Sequence, residues 1–413
     1  MDNLFLDVTE RYVDESKITQ IEYHSFLPFS TTALSRNDEI RFSISESGSY
    51  TLPSHSFLNI EGKITKGSGS LGEIRFINNG LAHLFSECRY EINNTEIQSV
   101  RNPGITSTLK GLCSYTESDK NALFNAAWDI TGDNCDEFVE KGFFSGCIPL
   151  KHLFGFCEDY KKILINTSQQ LILNRASIDF DSLVAHGGGN EEQLKKHEGS
   201  KLEITKIVWK MPLVKVSDEE KLKLLKVVDS QKPLSLAYRN WQLCEYPVLP
   251  TNTSHSWSVR SCSNIERPRY AIIGFQTDRK NSYSKSLSMF DHCNLKNLKV
   301  YLNTEAYPYE DFQADFTNSK VALLYNAYCS FQKSYYERDW SSPLMSKHDF
   351  MNKTPVVVID MSRQDDNIKL SNVDIRIEFE TTSAIPEKTS AYCLILHDQI
   401  ANYNPFTGDV RKL

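Results

Sequence analysis

The sequence predicts an all-β chain: a double jelly roll, two tandem eight-stranded antiparallel β-sandwiches with short helices in loops. Three observations carry this expectation, namely the chain length, two successive series of short strand signals, and a faint internal echo. A chain of 413 residues is too long for one ordinary core and suits two domains of about 200 residues each. The strand signals follow one another without βα periodicity, which favours antiparallel sandwiches over a parallel sheet. The echo is the run Tyr90, Glu91, Ile92, Asn93, Asn94, Thr95, Glu96, which recurs in altered form as Val300, Tyr301, Leu302, Asn303, Thr304, Glu305. In both places an alternating strand enters an Asn-rich turn, as expected where a strand leaves a sheet edge. One half of the chain then reads as a diverged copy of the other.

The elements follow in order. Residues 1–20 form an N-terminal arm, mixing acids with Leu4, Phe5, Leu6, Val8, Tyr12 and Ile18 in a pattern compatible with a short amphipathic helix. The N-terminal jelly roll is assigned to residues 21–228, with strand signals at 39–45, 57–65, 73–77, 87–92, 161–166, 169–174 and 202–214. Ser217, with Glu220 three residues on, makes a capping box ahead of Leu222, Leu224, Leu225 and Val228, so a helix over 217–228 closes that domain. A second short helix is predicted near Ser118. The segment 186–200 is Gly-rich and then heavily charged, and reads as a solvated loop. The C-terminal jelly roll is assigned to residues 229–413, with strand signals at 241–246, 256–261, 270–275, 298–302, 354–360, 373–379 and 391–397.

Composition excludes several functions. With 46 basic against 53 acidic residues the net charge is −7, so no overall positive field draws the folded body to nucleic acid or an anionic membrane. Ten cysteines lie scattered without CxxC pairs, most within apolar runs, and read as buried free thiols. The N-terminal MDNLFLDVTERYVDESK carries acids where a signal peptide needs a basic start, and no segment approaches a membrane span in length. The chain is therefore expected in a reducing compartment, with the sequons at Asn93, Asn166, Asn252 and Asn352 unmodified.

Motifs for chemistry fail on context. Gly67, Gly69 and Gly72 match a GxGxxG fingerprint, but Glu73 to Ile77 alternate like a strand where a phosphate-binding helix is required. The ten histidines contain no HxH pair that would build a cupin-type metal site. Asp291, His292 and Cys293 are adjacent, yet neighbours on a strand point to opposite faces, so a strand entrance with a buried thiol is the favoured reading over a nucleophile or ligand cluster. No catalytic, cofactor-binding or metal-ligating residue is assigned, no cofactor is implied and no enzyme is predicted. The aromatic run Tyr325, Tyr328, Phe331, Tyr335, Tyr336 and Trp340 has helical spacing, and is read as core packing, a subunit interface or a ligand platform.

Several stretches together resemble the double jelly-roll major capsid proteins, and among them those of Polinton (Maverick) elements and adintoviruses. These are RNWQLCEYPVLPTNTSHSWSVRS, ERPRYAIIGFQTDRKN, FDHCNLKNLKVYLNTEAYPYED, ALLYNAYCSFQKSYY and the closing SAYCLILHDQIANYNPFTGDVRKL. In the first half FLNIEGKI, FINNGLAHLFSECRYEINNTEIQSV, CIPLKHLFGF and ITKIVWKMPLVKVSDEEKLKLL agree. The resemblance implies two jelly rolls side by side, homotrimers of pseudo-hexagonal outline tiling an icosahedral shell, and a minor capsid or penton protein as partner. It implies assembly in host cytoplasm or nucleus, and long loops at 101–146, 186–200 and 303–350 forming towers or subunit contacts. A jelly-roll binding protein of lectin type, adopted by a host and no longer assembling, is the alternative.

Overall fold

The computed structural model describes residues 17–29, 34–45, 49–65, 74–129, 138–185, 200–259, 268–282, 284–364 and 373–413. Among the described residues sixteen strands carry the two sandwiches, and five shorter ones, Tyr50–Thr51, Ile74–Phe76, Val139–Glu140, Leu183–Ala185 and Val410–Lys412, accompany them. The first comprises β1 (Ile18–Phe26), β2 (Glu39–Ser45), β3 (Phe57–Thr65), β4 (Phe85–Ile92), β5 (Thr95–Arg101), β6 (Phe143–Pro149), β7 (Ser168–Arg175) and β8 (Lys201–Val216). The second comprises β9 (Leu234–Tyr246), β10 (Ser254–Val259), β11 (Pro268–Thr277), β12 (Leu295–Leu302), β13 (Glu305–Tyr307), β14 (Val357–Asp360), β15 (Ile375–Thr381) and β16 (Thr389–Tyr403). Strand order is β1-β8-β3-β6 and β2-β7-β4-β5 in the first, and β9-β16-β11-β14 and β10-β15-β12-β13 in the second, all antiparallel. Adding eight to each strand of the first set reproduces the second, and in each set these strands divide into two groups of four, as in a jelly roll, with short strands extending one sheet to six strands in the first half and one to five in the second.

Alternation dictates the cores. In β2 the side chains of Ile40, Phe42 and Ile44 are fully buried while Glu39, Arg41 and Ser43 face outward. The first core gathers on Trp209, whose ring lies 6.3 Å from Phe42 and 6.1 Å from Tyr90 in edge-to-face geometry. In the second, Phe275 and Phe379 face each other across the two sheets at 5.1 Å. The run Tyr392 to Leu396 in β16 is completely buried, because helices cover the outer face of that sheet.

The echo has a structural counterpart. Residues Asn93 and Asn303 begin the β4–β5 and β12–β13 turns in the left-handed region, at φ 48° and 54°. The Asn93 amide donates to Ser168 O at 2.9 Å, and its Oδ1 accepts from Ser168 N at 2.8 Å. The Asn303 amide donates to Asp374 O at 2.9 Å, and its Oδ1 accepts from Asp374 N at 3.0 Å. Each turn is thus pinned to the entry of the strand beside it, β7 in one half and β15 in the other.

Several expectations are corrected. Residues 1–16 of the arm, the GxGxxG glycines and the 186–199 loop lie outside the described residues, but 18–26 is a sheet strand and not part of an arm or helix. Its pattern was illegible because nearly every β1 side chain is exposed. Residues 161–166 make a single bridge, Leu164 to Thr51, instead of a strand. Strands β5, β6 and β13 were not anticipated. Three helices of eight residues or more occur among the described residues: α1 (Pro103–Ser114), α2 (Asp218–Asp229) and α3 (Ala322–Tyr336). The cap of α2 keeps half of its predicted box. The Ser217 hydroxyl accepts from Glu220 N, while Ser217 N donates to Lys17 O. A full box sits at Thr116 and Asp119, ahead of the short helix Lys120–Phe124. The 101–146 and 303–350 stretches carry α1 and α3 into the interior, where they pack on each other and on the second sandwich.

Replacing Asn93 or Asn303 by alanine removes one hydrogen bond and leaves a Cβ branch in the left-handed region. Each change is expected to cost about 1–2 kcal/mol in urea unfolding, with glycine costing less because it keeps the turn geometry. An unchanged midpoint for both alanine variants would mean that the turns are not pinned this way.

Candidate functional site: an ionic seam between the two jelly rolls

Helix α1 leaves the first sandwich and inserts all twelve of its residues into the interior. Pro103 suits the first helical position, whose amide needs no partner inside the helix. Gly104 and Gly111 permit the approach, because a Cβ at either would lie within 2.4 Å of the His83 ring or of Trp128. The helix has few apolar positions, so its polar groups are answered locally. Asn79 Nδ2 donates to Ser107 Oγ at 2.7 Å and Thr108 Oγ1 at 3.0 Å. Opposite lies α3, where Tyr328, Phe331, Gln332 and Tyr335 are buried. Tyr328 donates to Leu112 O at 2.9 Å and Gln332 to Tyr115 O at 2.9 Å, joining the halves through backbone carbonyls. The aromatic run is therefore packing between the sandwiches, and Trp340, exposed at its end, is not part of it.

At the centre is Lys110, whose side chain is 3 % exposed. Its ammonium donates to Glu158 Oε1 at 2.9 Å, Ser114 Oγ at 2.7 Å and Tyr336 Oη at 3.1 Å, which uses all three protons. Aromatic faces surround the charge, with Tyr335 at 4.3 Å and Trp241 at 5.0 Å from the ring centroids. Glu158, on the short helix Gly155–Asp159 of the first sandwich, also accepts from Tyr336 at 2.5 Å and Tyr335 at 3.0 Å. Next to it Asp159 holds Arg239 of β9 in a fork of 2.9 Å and 2.5 Å, and the guanidinium lies 3.5 Å over the Tyr335 ring. Gly155 makes room for this crossing, since a Cβ there would meet Arg239 O at 1.9 Å. Two residues of the first sandwich thus grip side chains from β9 and α3 of the second.

Charge and burial oppose each other here. Burial pushes the Glu158 carboxyl up, but the Lys110 ammonium and the Tyr336 hydroxyl outweigh it and hold it below the ordinary carboxylate value. Burial lowers Lys110, and Glu158 opposes the shift. Burial raises Tyr335 and Tyr336 well above their usual value, so both stay protonated and serve as donors. Beside the seam an open cleft of about 820 Å³ is lined by Arg239, Arg269, Tyr270, Arg338 and Asp398 among others. Its arginines are engaged, Arg269 with Asp398 at 2.5 Å and Arg338 over the Tyr336 and Trp340 rings.

The other sequence candidates do not converge on the seam. Asp291 is clasped by Arg279 at 2.5 Å and 3.0 Å, His292 stacks on Phe316 at 4.7 Å, and Cys293 is buried with its thiol pushed up to about 12 by burial. Among the described residues no group of three or more His, Cys, Asp or Glu is placed to hold a metal ion, and no helix is long and apolar enough to cross a membrane. Among the described residues no disulfide is formed, and Cys147 and Cys329 are only half-buried.

Replacing Lys110 by methionine strands the Glu158 carboxylate without its counter-charge and is expected to cost about 3–5 kcal/mol in denaturant unfolding. The double change with Glu158→Gln should cost less than Lys110→Met alone, and a single-variant loss under about 1 kcal/mol would remove the pair's structural role. Acid acts through buried groups. Burial depresses His83 and His152 to about 3, so they fold neutral and the unfolded chain takes up protons below its ordinary histidine value of 6.5. Stability should therefore fall by about 1.4 kcal/mol per pH unit per histidine from pH 6.5 downward. Glu158 adds to the loss as pH drops through its own ordinary value of 4.5. A melting temperature flat between pH 6.5 and 4.5 would contradict this, and His152→Gln should flatten the slope.

Comparison with known proteins agrees with this architecture. A protein of the Sputnik virophage, 11 % identical, superposes with a TM-score of 0.65 over 100 % of this chain and 92 % of its own. A chain of the PBCV-1 virus capsid, 9 % identical, gives 0.61 over 98 % and 99 %. The mavirus major capsid protein, 10 % identical, gives 0.53 over 99 % and 92 %. No curated protein matches by sequence. The double jelly-roll-like domain family matches residues 74–401, most of the chain, and its fold is the one described above, so this chain belongs to that family.

Proposed function

We propose that this protein is a viral major capsid protein, of virion origin or encoded by an integrated element of the Polinton or adintovirus type. It acts as a structural and not an enzymatic component. The observation that carries the reading is the pair of complete, equivalent jelly rolls locked by one ionic seam. Such a chain presents two similar lobes as one rigid unit. Three copies around an axis then give six lobes, a pseudo-hexagonal block that tiles a shell, with a minor capsid or penton protein at positions of other symmetry. The structural likeness to the PBCV-1 capsid chain and the mavirus major capsid protein supports the reading.

The domains proposed are an N-terminal arm ending near residue 17, a first jelly roll to about 216 with α2 as its connector, and a second jelly roll from 234. The pairing of β1 with β8 from Ile18 supports ending the arm before the boundary at residue 20 that the sequence suggests. Assembly would take place in host cytoplasm or nucleus, where free thiols persist.

The test is the solution mass of the purified chain by light scattering. A species near three times 47.3 kDa is expected, or larger hollow particles. A monomer at every concentration would displace the capsid reading in favour of an adopted binding protein.

A further inference from the structure

Strand β9 lies at the edge of its sheet, with β16 as its one strand neighbour among the described residues. Near the end of β9 the register sets Cys244 directly opposite Cys393 of β16. Residues directly opposite in an antiparallel ladder share a face, and here it is the interior one. Ala391, two residues before Cys393 and on the same face, pairs with Phe275, which meets Phe379 of the other sheet. Cys393 is fully buried and Cys244 is 8 % exposed, both within the apolar core of the second sandwich. Burial pushes the Cys393 thiol well above its ordinary value, and the neighbouring Cys244 pushes it the same way. No other two cysteines oppose each other in a ladder among the described residues: Cys88 faces Leu173 and Val100, and Cys147 faces Asn59.

The backbone already has the spacing of a disulfide. Opposed Cα atoms in an antiparallel ladder lie about 4.5 or 5.5 Å apart, inside the range of about 4.4–6.8 Å that a disulfide spans. Their Cβ atoms, about 4.5–5.5 Å apart in such a pair, must close by about 1 Å, which an edge strand allows. Access follows from position. Cys244 stands two residues before Tyr246, where β9 ends and Pro247 follows, and strand ends open at low cost in free energy. Opening exposes Cys244 first, while Cys393 stays inside its sheet between β9 and β11.

We propose that Cys244 and Cys393 form a redox pair, reduced in the newly folded chain and joined as a disulfide by a peroxide when the chain meets an oxidising medium. The Cys244 thiol gives its proton to solvent and its sulfur attacks one peroxide oxygen. An S–O bond forms, the O–O bond breaks, and the leaving hydroxide takes up a proton as water. The Cys393 sulfur then attacks that of Cys244, an S–S bond forms, the S–O bond breaks, and hydroxide leaves with the Cys393 proton as a second water. The two sulfurs lose two electrons and the peroxide gains them. Because the thiolate is the nucleophile, burial makes the reaction slow at neutral pH and faster as pH rises. The bond pins one end of the strand that carries Arg239 and Trp241 into the seam. It does not depend on the chain being a capsid protein.

The experiment treats the folded full chain with hydrogen peroxide at neutral pH and removes the excess with catalase. The chain is then unfolded in urea with N-ethylmaleimide, and its unreduced peptides are mapped by mass. A Cys244–Cys393 linked peptide pair, two hydrogens lighter than its parts and free of maleimide, is expected as the main link within one chain. Urea below the unfolding transition should speed its formation several-fold by opening the strand end. The linked chain should unfold at a higher urea midpoint than the reduced one, a shift that dithiothreitol reverses and that Cys244→Ala does not show. Maleimide on both Cys244 and Cys393, under conditions that oxidise the half-buried Cys147 and Cys329, would overturn the proposal. An unchanged midpoint in the linked chain would overturn it as well.

Discussion

The buried ammonium of Lys110 organises the seam between the two sandwiches. Lys110 is surrounded by aromatic rings in an interior where an unpaired ammonium is untenable, so a carboxylate and two hydroxyls are arranged to answer it. That requirement places Glu158 on the short helix of the first sandwich, and Tyr335 and Tyr336 at the end of α3 in the second. The neighbouring Asp159–Arg239 fork repeats the arrangement one residue on. An ion pair of this kind contributes little net stability over a well-packed apolar contact, but it tolerates very few relative positions of its partners. It acts beside other contacts between the halves, among them Tyr238 Oη donating to Ile97 O at 2.7 Å and Asn93 Nδ2 donating to Gly408 O at 2.8 Å. The apolar contacts around it, including Trp241, Phe331 and Tyr328, supply the burial that holds the halves together.

The seam also shows where the two halves have diverged. Their strands correspond one to one, and Asn93 and Asn303 make the same pair of hydrogen bonds in the same place. The insertions that follow β5 and β13 occupy equivalent places in the two halves but differ in length and course. In the first half the excursion after β5 becomes α1, and in the second the excursion after β13 becomes α3. Each helix is driven inward and they meet. The two sandwiches thus share a hydrogen-bond framework and differ in the helices that join them, which agrees with loops being the variable part of a fold.

The sequence carried the framework more clearly than the seam. Strands with one buried face, such as β2, β3, β4 and β7, announce themselves by period-two alternation. β1 could not, because almost nothing covers it and its side chains show no apolar period. β13 is three residues long, too short to carry a pattern. Helix α1 was invisible for the opposite reason. It is buried on all sides, and Gly, Ser and Thr are selected there for close approach and internal hydrogen bonds, so no amphipathic stripe forms. Its lysine looked like any solvated charge. Only the spacing of Tyr325, Tyr328, Phe331 and Tyr335 pointed to the seam, and it could not say which partner those rings would meet.

A two-lobed rigid block is the property on which the proposed shell role rests, since tiling needs a unit whose lobes keep one relative orientation. The most direct measurement is electron cryo-microscopy of the purified full chain at neutral pH. The account predicts six-lobed particles built from three chains, with density for the Lys110–Glu158 seam inside every chain. Two-lobed single chains whose jelly rolls take variable orientations would contradict it.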